Sequence, residues 1–124
     1  MKWLYLAVGG ILGTLARYLI AGSIQTLFGM TFPIGTLAVN ILGCLLAGSL
    51  VEVGANTSFL TPDMRLLLVV GFCGAFTTFS AWMLETEALR ESGAMAQAAG
   101  NVFASVLLGY VAFRLGMILT AKIF

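Results

Sequence analysis

Few side chains in this sequence can do chemistry, and nearly all of them lie inside apolar runs. Thr36, Asn40, Gly43 and Ala47 recur at i, i+4, i+7 and i+11, one face of a helix. Asn40 is the informative member. Inside a bilayer its amide either hydrogen-bonds a neighbouring helix, a contact worth about 0.6–2 kcal/mol, or donates N–H groups to a passing anion without the grip of a fixed positive charge. A second stripe runs through Asn101, Ser105, Gly109, Ala112 and Gly116, where the Ser105 hydroxyl suits packing and a pathway equally. A third joins Gly9, Gly13 and Arg17 at i, i+4 and i+8. Its glycines read as packing residues. Arg17 either snorkels to the interface or faces water, a partner or a pathway, because an ionisable group at membrane depth is costly.

The stretch Gly71-Phe72-Cys73-Gly74-Ala75-Phe76-Thr77-Thr78-Phe79-Ser80-Ala81-Trp82 is the densest in polar and aromatic groups. Phe72, Phe76 and Phe79 fall at i, i+4 and i+7, yet glycine and threonine lower helical propensity. A break here would free backbone carbonyls that only protein, water or a bound cation can satisfy, and broken helices in mid-membrane mark ion sites. The alternative is an intact helix whose Thr and Ser hydroxyls bond back to the preceding turn. Just beyond, Glu85 reads as a vestibular carboxylate and Glu87 as a solvated charge.

The elements that must position these groups follow from composition. The chain has 124 residues, 60% hydrophobic and 9% charged, against about 25% charged in a soluble domain. At about 20 residues per spanning helix, four spans fit with loops and six do not. Continuous rather than alternating apolar runs favour helices over a barrel. Six Lys and Arg against five Asp and Glu offer no basic patch for nucleic acid. Histidine is absent, and no nucleophile and base stand at a plausible spacing, so an enzyme is not expected. Cys44 and Cys73 read as small buried packers. The expectation is one all-α membrane domain over residues 1–124, with helices at about 3–27, 34–53, 66–86 and 94–121 and the third broken in mid-membrane.

Breaks between spans come from the turn signals of Phe28 to Pro33, the polar segment Gly54 to Asp63 and the charged stretch Glu85 to Glu91. The start Met1-Lys2-Trp3 is not read as a secretory signal, because the apolar run is too long and carries Arg17. Both termini then share a side holding Lys2, Arg65, Arg114 and Lys122, with Arg17 and Arg90 opposite. An excess of two is a weak orientation signal.

Three motifs together resemble the Fluc (CrcB) fluoride channels of microbial membranes. They are Gly9-Gly10-x-x-Gly13-x-x-Ala16-Arg17-Tyr18, Phe32-Pro33-x-Gly35-Thr36-Leu37-x-Val39-Asn40-x-x-Gly43, and Gly71-Phe72-Cys73-Gly74-x-Phe76-Thr77-Thr78-Phe79-Ser80. The resemblance covers all four spans. It implies an antiparallel, dual-topology homodimer in the inner (plasma) membrane that leaks fluoride passively and lowers its cytoplasmic level. It further implies a structural sodium ion at the dimer interface, held by the carbonyls of Gly74 and Thr77. Asn40 would donate to fluoride, Phe79 would offer its electropositive ring edge, and Thr36 and Ser80 would add hydroxyls along the path, to which the reading of the fourth span adds Ser105. Arg17 and Glu85 match vestibule positions.

The third motif departs from the family's usual continuation, with Ala81 and Trp82 where threonine and phenylalanine are common. Trp82 then either contacts the anion through its ring edge or indole N–H, or faces lipid. Pairing with a second homologous chain is the alternative to a homodimer. A small multidrug transporter of similar size would need a carboxylate in its first span, and no Asp or Glu precedes Glu52.

Overall fold

In the computed structural model, which describes residues 1–124, the chain is entirely helical. Helix α1 (Lys2–Phe28) stops at Gly29, whose φ of 59° is a left-handed conformation open to a residue without Cβ, and whose N–H closes on the Gln25 carbonyl. Pro33 then leads into α2 (Ile34–Asn56). Thr61 starts the third helix: its Oγ1 accepts the Met64 N–H at 3.3 Å, Pro62 fills the first turn, and Asp63 meets the positive end of the helix dipole.

This helix, α3 (residues 62–76), widens into π-type turns over Leu66–Cys73. It loses helical geometry at Thr77, whose backbone is extended (φ −83°, ψ 157°), and resumes as α4 (Ser80–Glu91). A turn with Gly93 at φ 84° joins it to α5 (Met95–Ala121). Counting α3 and α4 as one interrupted span, four helices are long and apolar enough to cross a membrane: Lys2–Phe28, Ile34–Asn56, Pro62–Glu91 and Met95–Ala121. The third is the one broken in the middle.

Three boundaries differ from the sequence reading, the first being the end of α2 at Asn56 rather than about residue 53. The third span begins at Pro62 rather than Leu66, and it continues helically through Glu85–Glu91, the stretch read as a connection. The physical reason is that charge marks where hydrocarbon ends, whereas caps and turns mark where a helix ends. Thr61 supplies the first cap, and Ser92 with Gly93 the turn.

The helices pack with their backbones nearly touching. Gly9 and Gly13 of α1 lie against the main chain of Leu67 and Phe72 in α3, so that a Cβ at either would run into a carbonyl oxygen. Such close approach is how helices associate in lipid, where no hydrophobic drive acts between them. The π-type turns of α3 lie against this same glycine face. On the other side α2 packs along α5. Only 21 of 124 residues are buried within one chain, so most of its apolar surface faces outward.

Candidate functional site

The break in the third span is held from a neighbouring helix. Asn40, one turn below Thr36 on α2, meets the main chain of Thr78 twice: its Oδ1 accepts the Thr78 N–H at 2.8 Å and its Nδ2 donates to the Thr78 carbonyl at 3.2 Å. The amide thus replaces both hydrogen bonds that a continuous helix would have given this residue. It retains one N–H, since an amide nitrogen carries two. Both readings of Asn40 left open by the sequence are therefore compatible in one side chain. Gly43, one further turn along, allows the approach, because a Cβ there would meet the Thr77 methyl and the Phe76 ring.

Carbonyls on the N-terminal side of the break are short of donors. The N–H four residues beyond Gly74 belongs to Thr78 and is taken by Asn40. The Thr77 carbonyl accepts no hydrogen bond within the chain, while the Thr77 N–H and Oγ1 both bond back to the Cys73 carbonyl at 3.1 and 3.0 Å. The hydroxyl back-bonding expected of an intact helix is thus present at a helix end. Arg17 reaches across from α1, its Nε donating to the Ala75 carbonyl at 3.1 Å. A guanidinium there also suits the negative end of the α3 dipole.

Asn40 lines a cavity of about 240 Å³ together with Cys44, Thr77, Thr78, Phe79, Trp82, Ser105 and Val106. No ionised side chain enters it. Ser105, 9% exposed, has no hydrogen-bond partner for its Oγ although that atom is buried. A larger cavity, about 860 Å³, is lined by Arg17, Gln25, Thr36, Ala81 and Glu85 among others. There the Thr36 hydroxyl donates to Glu85 Oε1 at 2.7 Å, and the second oxygen, Oε2, is buried without a partner. The sequence-derived residues therefore divide: Asn40, Thr77, Phe79, Trp82 and Ser105 around one cavity, Arg17, Thr36 and Glu85 around the other. Gly74 and Ser80 line neither and are exposed on the single chain.

The aromatic groups also divide at the break. Phe72 and Phe76 stack, with centroids 5.6 Å apart and planes at 11°. Phe79 leaves that row, because the extended backbone resets the register, and it pairs edge-to-face with Trp82 at 5.3 Å and 81°. Trp82 is buried rather than lipid-facing, and its indole N–H donates to the Asn101 carbonyl at 3.2 Å.

Sequence reasoning missed three contributors. Gln25 donates to the carbonyls of Met30 and Phe32 at 2.7 and 3.1 Å and accepts the Gly35 N–H at 3.1 Å, which folds the first loop onto the start of α2. A lone glutamine in an apolar helix, four residues before the turn at Gly29, was the available signal. Thr86 bridges Trp82 and Asn101, and it sits among charges that drew the eye instead. Cys44, read as a packer, is half-buried and faces the smaller cavity, whereas Cys73 is buried.

Comparison with known proteins settles the lineage. The family described as CrcB-like protein, Camphor Resistance (CrcB), matches residues 4–117. The chain belongs to the CrcB family. Among CrcB relatives, the fluoride-specific ion channel FluC of Maridesulfovibrio salexigens is 44% identical over 118 residues, 95% of this chain and 94% of that one. The protein of the same name from Geobacter sulfurreducens is 47% identical over 105 residues, 85% of each chain. That of Syntrophotalea carbinolica is 40% identical over 123 residues, covering 99% of this chain and all of its own. With its four long apolar helices, this CrcB chain is a multi-pass membrane protein.

Proposed function

We propose that this protein is a passive, fluoride-selective ion channel of the inner (plasma) membrane that lowers cytoplasmic fluoride, and not an enzyme. Family membership and the names of its relatives support the reading. The observation that carries it here is that the Ser105 hydroxyl, buried and without a partner, lines the same cavity as Asn40, whose amide keeps one N–H uncommitted. Two neutral donors in the wall of a cavity that holds no carboxylate would suit a small anion. A buried polar group costs free energy unless it is paired, and an anion between these donors would pair it. The donors carry no full charge, so binding would be strong enough to offset lost hydration and weak enough to release. Phe79 would add its ring edge and Ser80 a hydroxyl, while Arg17, Glu85 and Thr36, whose hydroxyl donates to Glu85, would form the vestibule.

The working unit in this proposal is an antiparallel dimer of two copies. Phe79 is 70% exposed on the single chain, and Gly74 and Ser80 are exposed with it. Open backbone at membrane depth is tolerated only when buried in protein or facing water, so a second copy laid across the break would cover it. The weak Lys and Arg imbalance lets copies insert both ways. The carbonyls of Gly74 and Thr77, without N–H donors of their own, fit a hard cation, and pairing two copies would double the oxygen set. A structural sodium ion is assigned to them on that ground.

The test is reconstitution in liposomes, with fluoride efflux compared with chloride efflux under an imposed voltage. Fast fluoride and negligible chloride are expected; equal or absent fluxes would sink the proposal. Thr57→Cys in a Cys44→Ala, Cys73→Ala background should be labelled from both membrane faces in cells. Labelling from one face only would remove the antiparallel arrangement.

A further inference from the structure

Trp82 lines the smaller cavity, yet its only polar atom is spent elsewhere. The indole N–H donates to the Asn101 carbonyl at 3.2 Å. The Asn101 side chain, itself 1% exposed, donates from Nδ2 to Thr86 Oγ1 at 2.9 Å, and the Thr86 hydroxyl donates back to the Trp82 carbonyl at 2.7 Å. Three bonds close a ring that joins α4 to α5. On its other side the indole holds Phe79, whose plane stands at 81° to it across 5.3 Å.

From this arrangement we infer that Trp82 is a positioning residue for ion selection, which fixes the orientation of the Phe79 ring without itself donating to the ion. The inference rests on the channel reading above and deepens it. Phe79 stands one residue before the restarted helix, and within the chain its ring meets the indole edge-to-face, a contact that limits its rotation. Trp82 cannot swing with it. The indole is buried, and turning it would strand its N–H and break the one bond that closes the ring, which is costly in a nearly dry interior. A ring held in one orientation keeps its positive edge aimed one way, and it keeps the cavity at one width. A ring free to rotate presents its negative face part of the time and lets the cavity widen toward larger anions. Trp82 therefore governs discrimination more than rate.

The experiment replaces the N–H alone. Trp82→β-(3-benzothienyl)alanine keeps the bicyclic shape and puts sulfur where the indole nitrogen stands, while Trp82→5-fluorotryptophan keeps the donor. Both are incorporated at this position only, assembled protein is selected by size-exclusion, and fluoride and chloride efflux from liposomes are measured side by side. The benzothienyl protein should lose about three- to tenfold in its fluoride-to-chloride flux ratio, the scale of an aromatic edge contact, with fluoride flux as fast as wild type or faster. The fluorotryptophan protein should keep the wild-type ratio. Should the benzothienyl protein fail to assemble, Thr86→Val opens the same ring of bonds with Trp82 intact, and the ratio should fall there too. An unchanged ratio in the assembled variant overturns this inference alone. A wild type that passes neither anion, or both equally, overturns the channel reading and this one with it.

Discussion

Two cavities lie one helical turn apart along α2, and they differ in charge before they differ in anything else. The larger one, at Thr36, is lined by a guanidinium and a carboxylate; the smaller one, at Asn40, has amide, hydroxyl, thiol, aromatic and aliphatic groups and no ionised one. Ionised groups attract ions over a Debye length of about 8 Å but hold them indiscriminately. Neutral donors act only in contact, where size and geometry decide. On the channel reading proposed above, the difference amounts to a division of labour in which the wide cavity would gather and the narrow one choose.

The sharpest way to break this comparison is to put a charge where there is none. Asn40→Asp keeps an oxygen to accept the Thr78 N–H but loses both N–H donors, and it sets a carboxylate beside any passing anion. Fluoride flux should fall at least about a hundredfold, since like charges at about 4 Å repel by several kcal/mol in a partly buried site. The proposed dimer should remain assembled on size-exclusion. Persistence of wild-type flux would make Asn40 a fastener of the break and nothing more.

Next in size is Phe79→Ile, which keeps apolar bulk and removes the ring edge. An edge contact is worth about 0.5–1.5 kcal/mol, so fluoride efflux should drop by about tenfold. That loss should exceed any change in fluoride flux from Trp82→Phe. A drop no larger than that of the Trp82 variant would place Phe79 outside the path.

The wide cavity should respond differently. Arg17→Gln removes the gathering charge and the bond to the Ala75 carbonyl, and efflux should fall by about threefold at low salt, with the gap closing as ionic strength rises. A salt-independent loss would show instead that Arg17 serves the break. The smallest effect belongs to Cys44→Ser, which gives the narrow cavity a better donor at equal size. Flux should stay within about twofold of wild type and slow slightly, as tighter binding delays release; faster flux would contradict the donor picture.

The fold was legible from the sequence where it depends on what lipid and backbone tolerate. Long uncharged runs gave the spans, and small residues at i and i+4 marked the faces where helices touch. The interruption near Thr77 was legible because glycine, paired threonines and aromatics make a poor uniform helix. What holds the interruption was hidden, because Asn40 answers Thr78 across 38 residues through that residue's main chain, which is the same for every amino acid. The pairing of Phe79 with Trp82 was hidden for a related reason. Helical spacing assigned Phe79 to the Phe72 and Phe76 row, and an extended residue cancels that arithmetic. The π-type turns at Leu66–Cys73 have no side-chain signature at all. They belong to an apolar run that would be equally content as an α-helix.

The two bonds from Asn40 to Thr78 carry a consequence for how such a protein can change over generations. One amide is at once the rivet of an interrupted span and a wall of the space beside it. Most replacements at position 40 would alter permeability and architecture in the same step, so natural variation has no neutral route through this site. Drift is free to act on surrounding residues without such a double duty, Cys44 among them, where shape and trade-offs can be adjusted one at a time. The asparagine therefore acts as an anchor for inheritance as much as for the helix, and diversity in this architecture should accumulate around it rather than at it.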